Sequence, residues 1–136
     1  MIIDFHTHTF PDKIAEKTIA ALSDIGKISA HRSGTVDSLK ESMQLCGIDI
    51  SVVLPVATSP TQVETINRIS YQLNKKDRLY FSGAIHPDCE NVEEILDDIK
   101  AHGLFGIKIH PDYQGVYFHD KRYLRILCES AQILCA

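Results

Sequence analysis

The spacing of apolar residues changes several times along the chain, and each change marks an element. Residues 2–6, IIDFH, form a short apolar run that reads as a buried strand. The stretch 11–26, PDKIAEKTIAALSDIG, sets Ile14, Ile19 and Leu22 on a helical repeat with Gly26 as its stop. A second helix is expected over 33–47, with Thr35 as N-cap, Val36, Leu39 and Met43 as its apolar stripe, and Gly47 at its end. The run 49–57, DISVVLPVA, is apolar without alternation, the pattern of a strand buried on both faces.

The alternation then repeats. A helix over 59–77 turns Val63, Ile66, Ile69 and Leu73 inward, and a strand follows over 78–86. A helix over 91–103 has Asn91 as cap, Glu93 and Glu94 in an acidic first turn, and Gly103 past its end. A strand over 104–110 and a helix over 120–136, running to the last residue, complete the order β-α-α-β-α-β-α-β-α. Strands separated by helices predict parallel pairing through right-handed crossovers, in one α/β domain over 1–136. GAIHPDCE (83–90) and GIKIHPDY (106–113) echo each other, each a strand closing on His-Pro-Asp. Proline stops the ladder, so His86 and His110 fall at the carboxyl ends of strands. The pair His6 and His8 falls at the end of the first strand. Histidine at one end of three strands out of four predicts a single polar rim.

Composition narrows the class. A chain of 136 residues with 44% hydrophobic and 24% charged residues suits one globular core. Net charge is −4, and no basic cluster alternates with aromatics, which argues against nucleic acid as a partner. No apolar run approaches the ~20 residues of a membrane span. Asp4 and the lack of a basic leading segment argue against a signal peptide. Cys46, Cys89, Cys128 and Cys135 are widely spaced without CxxC, as expected for reduced thiols in a cytoplasmic protein.

Strand alternation puts Asp4, His6 and His8 on one face and Ile3, Phe5 and Thr7 on the other. Two imidazoles so spaced can converge on one ion, and neutral imidazole suits zinc and similar borderline metals. Asp4, deeper on that face, could orient a ligand. The bland reading is a strand end that happens to carry two histidines. In the last strand Gly106, Lys108 and His110 share a face opposite Ile107 and Ile109. Lys108 then either meets an anionic substrate, becomes a metal-bridging carbamate, or reaches solvent from a strand end. His86 either binds substrate and moves protons or is a hydrogen-bonded strand terminus. Tyr113, Tyr117 and His119 line a pocket or simply pack. GxSxG and glycine-rich phosphate loops are absent from the sequence.

IIDFHTHTF resembles the first strand of the amidohydrolase superfamily, whose metal-dependent (β/α)8 barrels open with an HxH strand. GIKIHPDYQGVYFHDKRYLRIL resembles strand four and helix four of its amidohydrolase-related group, which includes aminocarboxymuconate-semialdehyde decarboxylase-like enzymes. The resemblance implies that His6 and His8 are the first two ligands of a divalent metal, most readily zinc. Asp4, His86, Lys108 and His110 are then candidates for substrate binding or for supporting the ligands. The family's later ligands, histidines after strands five and six and an aspartate after strand eight, have no counterpart here. The general-base aspartate is expected beyond residue 136. Lys108 matches the strand on which some branches carry a carboxylated lysine, a role not usual in this group and not carried over.

A full barrel needs ~250 residues. The resemblance therefore implies the first four of eight units of a TIM-type barrel, the N-terminal half of a metal-dependent hydrolase in truncated form. The implied reaction is amide, ester or lactone hydrolysis of a small-molecule substrate by metal-activated water. A metal-dependent non-oxidative decarboxylase is the alternative within the family. A non-catalytic binding or assembly fragment is the alternative outside it. An open barrel face and exposed strand edges are expected to favour homo-oligomers and to leave the isolated chain with little activity.

Overall fold

A computed structural model describes residues 1–135. They form two compact units, Met1–Val53 and Leu54–Ala136.

The first unit runs β1 (Ile3–Thr7), α1 (Asp12–Gly26), α2 (Val36–Cys46) and β2 (Ile50–Val53). β1 and β2 pair in parallel, Ile3 opposite Ile50 and Asp4 opposite Ser51, as the alternating order predicts. The register slips before Thr7 meets Val53, so β1 bulges between Asp4 and Thr7. The chain start is held by Asp49, whose carboxylate accepts the Ile2 N–H at 2.7 Å and lies 3.7 Å from the Met1 amino group.

Three expectations for this unit are corrected. β1 is not a buried strand: only Thr7 is buried, while Ile3 and Phe5 are 45% and 65% exposed, because no element of the unit covers them. In α1 the inward residue is Ala15, and Ile14 faces solvent. Ala15, Ile19 and Leu22 follow the i, i+4, i+7 spacing of one helix face, which Ile14 breaks. Gly26 is the last helical residue rather than the stop, and the left-handed cap falls on Lys27 (φ 53°). In α2 the Thr35 hydroxyl accepts the Ser38 N–H at 3.2 Å, and Gly47 (φ 68°) ends the helix as read from the sequence.

The second unit contains a 3-10 turn (Pro60–Gln62), α3 (Val63–Leu73), β3 (Leu79–Phe81), β4 (Gly83–Ala84), α4 (Val92–Ala101), β5 (Ile107–Lys108), α5 (Pro111–Gln114) and α6 (Lys121–Leu134). β4 and β5 are parallel, Gly83 opposite Ile107 and Ala84 opposite Lys108. Its core gathers Ala57, Val63, Ala84, Ile85, Val92, Leu96, Tyr123 and Ile126, with Ile107 and Ile109 packed against it. A side chain at Gly83 would overlap Ile99 of α4, so glycine lets strand and helix approach.

The expected strand over 78–86 is broken at Ser82 into β3 and β4. Two asparagines, Asn67 within α3 and Asn74 at its C-cap, take up the backbone on either side of the break. Asn74 Oδ1 accepts the Phe81 N–H at 3.0 Å. Asn67 accepts the Ala84 N–H at 2.7 Å and donates to the Ala84 carbonyl at 3.0 Å, standing in for a neighbouring strand. Asn67 is therefore buried on α3, as is Ser70, whose hydroxyl donates to the Ile66 carbonyl at 3.1 Å, whereas Ile66, Ile69 and Leu73 are only half-buried. The expected strand over 104–110 shrinks to β5, because Pro111 starts α5 with His110 as its N-cap, a helix the sequence pattern did not suggest. Asn91 occupies the N-cap of α4 without capping it; its amide donates to Glu94 at 3.4 Å. α6 begins on Asp120, whose carboxylate accepts the Arg122 N–H at 2.9 Å. Its expected end at Ala136 lies outside the described residues.

Candidate functional site

The candidate residues fall into two groups, one in each unit. In the first unit β1 delivers His6 and His8. Thr7 between them is buried, its hydroxyl donating to the Val52 carbonyl at 2.8 Å, which pins the backbone. The bulge precedes this point, so strict alternation from Asp4 through His8 does not hold, and His8 lies past the strand end. The two imidazoles nevertheless come together, centroids 5.0 Å apart and edge to face at 66°. Both are exposed. Asp4 accepts the backbone N–H of His6 at 3.2 Å, so it shapes the bulge.

These two imidazoles fit part of a metal centre. A catalytic zinc takes three protein ligands. Among the described residues, no group of three or more His, Cys, Asp or Glu side chains is placed to hold an ion.

The second unit brings the other candidates together around Gln114, which sequence reasoning missed. Its side-chain amide has two donors and two acceptor positions, and all are used. Nε2 donates to the carbonyls of Ala57 and Ile85, both at 2.8 Å. Oε1 accepts the His110 N–H at 2.9 Å and the buried Tyr123 hydroxyl. One glutamine thus ties the residue before His86 to the backbone of His110. Burial pushes the Tyr123 phenol above its ordinary value. A polar residue at the end of a four-residue helix gives no sequence signal of such a role; the only hint was the second of the two His-Pro-Asp runs, which ends two residues before it.

His86 is 96% buried by its 4% residual exposure. Its Nδ1 accepts the Asp88 N–H at 3.2 Å. Burial is the main cause that lowers its pKa below the usual imidazole value; Asp88 opposes this and Arg122 adds to it. A backbone N–H can only donate, so Nδ1 is unprotonated and the 3.8 Å approach of Asp88 Oδ2 is not an ion pair in this state. Arg122 instead takes the Asp88 carboxylate at 2.5 Å and grips Asp120 through Nε and Nη2, at 2.9 and 2.8 Å. These bonds hold the Asp120 carboxyl well below its ordinary range. Cys89, buried beside this turn, has its thiol pushed up by burial.

His110 repeats the arrangement. Its Nδ1 accepts the Tyr113 N–H at 3.5 Å, and its ring stacks on Tyr113 with centroids 4.1 Å apart. Lys108 is half-buried in β5, opposite Ala84. The strand ends at Lys108, so the alternation expected to align Lys108 with His110 does not extend that far. Tyr117 stacks with His119 in an exposed loop. A separate groove of about 630 Å³ is lined by α3, α4 and the turn before α4, with Glu64, Arg68, Glu90, Glu94 and Asp98 among its residues. On its wall Tyr71, with its phenol pushed up to about 12 by burial and Asp98, stacks on His102 at 3.8 Å.

No family model matches the sequence, and no curated protein does. Among solved structures, the chain is similar in fold to a crystal structure of a probable 2-pyrone-4,6-dicarboxylic acid hydrolase from Acinetobacter baumannii with citric acid bound. The TM-score is 0.56 at 17% identity, over 97% of this chain and 46% of that one. The chain thus spans under half the length of that protein. The shared property is a mixed α/β fold with parallel strands. No helix among the described residues is long and apolar enough to cross a membrane.

Proposed function

We propose that this chain is the metal-holding first half of a hydrolase of the amidohydrolase type, equivalent to four of the eight units of a (β/α)8 barrel. The observation that carries the reading is the pair of exposed imidazoles at the end of β1, with centroids 5.0 Å apart, beside a bulge between Asp4 and Thr7. The likeness to a protein described as a hydrolase supports it. His6 and His8 would hold a divalent ion, zinc by preference, with further ligands from outside the described residues. When bound, such an ion lowers the pKa of a coordinated water toward ~7 and polarises a carbonyl. The chain's own part is to fix the imidazoles: Thr7 anchors the backbone between them to β2, and Asp4 holds the N–H of His6. The substrate class is an amide, ester or lactone.

Zinc titration of the full chain by calorimetry tests this. Wild type should bind zinc, and His6→Ala and His8→Ala should each abolish binding without changing the circular dichroism. A wild-type chain with no zinc affinity overturns the metal reading.

The exposure of Met1, Ile2, Ile3 and Phe5, at 92%, 58%, 45% and 65%, favours a second reading in which β1 is an assembly surface. Sedimentation at micromolar concentration decides it: a strict monomer ends that reading.

A further inference from the structure

The repeated His-Pro-Asp runs share more than sequence. β4 and β5 are parallel neighbours with Gly83 opposite Ile107, a fixed offset of 24 that also separates His86 from His110. Each histidine follows its strand at the same end, and each is followed by proline, which contributes no N–H. In each, Nδ1 accepts a backbone N–H from just downstream, Asp88 in one case and Tyr113 in the other. Gln114 joins the two turns through the Ile85 carbonyl and the His110 N–H.

The chemistry of imidazole then fixes where the proton sits. A neutral ring has one donor and one acceptor nitrogen. With Nδ1 accepting, the proton is on Nε2 in both rings. A metal-ligating histidine shows the reverse pattern, giving its second ring N–H to an oxygen acceptor. His86 and His110 are thus built as hydrogen-bond donors rather than as ligands. Among the described residues neither Nε2 has a hydrogen-bond partner, and the sealed polar atoms without one are Ser51 Oγ, Ser82 Oγ and Glu129 Oε2. His86 Nε2 therefore stays open at the surface of an otherwise buried ring.

We propose that His86 and His110 form a paired donor site, presenting two Nε2–H groups from adjacent strand ends to the two oxygens of one carboxylate on a small ligand. Two N–H donors that follow neighbouring parallel strands and are tied through Gln114 suit the two acceptor oxygens of such a group. The acidic neighbour Asp88 sits on the Nδ1 side of His86, and Arg122 neutralises it, itself bound to Asp120. The Cys89 thiol, pushed up by burial, is uncharged. Arg122 is a positioning residue: through Asp88 it holds the N–H that fixes the His86 tautomer. The site is independent of the hydrolase reading, since it binds a carboxylate with or without metal.

The test uses the full chain labelled with ¹⁵N at histidine. Imidazole nitrogen spectra should show the neutral rings of His86 and His110 protonated at Nε2 and bare at Nδ1. Added succinate should shift both Nε2–H signals saturably, and succinamide should bind at least about tenfold more weakly. His86→Ala and His110→Ala should each weaken succinate about tenfold. His86→Gln and His110→Gln, which keep an N–H donor, should retain binding within a few-fold. Arg122→Gln should redistribute the His86 tautomer, and Arg122→Lys should restore it. A proton on Nδ1 of either histidine in wild type overturns the proposal, even if the alanine variants fail to fold. So does equal binding of succinate and succinamide, or succinate binding that survives both alanine substitutions. Zinc binding at His6 and His8 is measured separately, so either idea can fail alone.

Discussion

The two units handle their polar groups in opposite ways. In Met1–Val53 the notable side chains, His6 and His8, stand exposed on a bulged strand whose apolar neighbours are also exposed. In Leu54–Ala136 the notable side chains are buried or anchored: Asn67, Gln114 and His86 each meet backbone groups with hydrogen bonds. Fully buried aliphatic residues are concentrated there as well, among them Leu79, Ile85, Leu96, Ile99 and Ile126. A buried amide with every bond made costs little to keep and fixes its surroundings, whereas an unsatisfied one is expensive. The second unit is thus the one whose polar side chains are fixed by its own backbone.

The contrast is broken most directly through the cores. Leu96→Ala, at a position with no exposure, should destabilise the second unit by about 2–5 kcal/mol in urea unfolding. Ile14→Ala, on a side chain 49% exposed, should change the first unit by no more than about 0.5 kcal/mol. Equal losses would show that the first unit packs as tightly as the second.

The effect of acid carried by His86 comes from one group and should be smaller. The folded-state pKa of His86 lies below its unfolded value, so the unfolded chain takes up the proton first. Stability contributed by the neutral ring is complete above about pH 6.5 and falls as pH drops below it. Urea midpoints for the second unit should fall from pH 7.5 to pH 5.5, and His86→Gln should flatten that slope. A slope unchanged by the substitution would remove His86 as its source.

The smallest differences concern the helix starts. Thr35→Ala should cost about 1 kcal/mol, because its hydroxyl accepts the Ser38 N–H. Asn91→Ala should cost less than about 0.5 kcal/mol, because Asn91 makes no capping bond. Thermal melts of the two variants should separate them, and a larger loss for Asn91 would contradict the geometry.

The periodic elements were legible in the sequence because local spacing alone sets them: β1 and α1 through α4 lie within a few residues of their expected positions. What local spacing could not show depends on distant partners. The break at Ser82 follows from Asn67 and Asn74 reaching back from α3. The burial of Asn67 in place of an apolar residue has the same origin. α5 was hidden because a helix of 4 residues has no period to read; Pro111 at its first position and Gly115 (φ 64°) after it were its only traces. For the site, the HxH pair and the two His-Pro-Asp runs are what single out His6, His8, His86 and His110 in the sequence. Which ring nitrogen carries a proton could be decided only from the backbone N–H groups of Asp88 and Tyr113. Gln114 and Arg122 had no local signature, since their partners lie as far as 57 and 34 residues away.

Gln114 also sets a timetable for the newborn polypeptide. Its four bonds reach Ala57, Ile85, His110 and Tyr123, so the last partner leaves the ribosome nine residues after Gln114 itself. At a synthesis rate of about 5–20 residues per second, the wait after Gln114 is short compared with that after Ala57. Until Tyr123 emerges, the amide holds an acceptor position that only water can fill. A stall placed before codon 123 should leave the second unit open to protease, and one placed well beyond α6 should leave it protected.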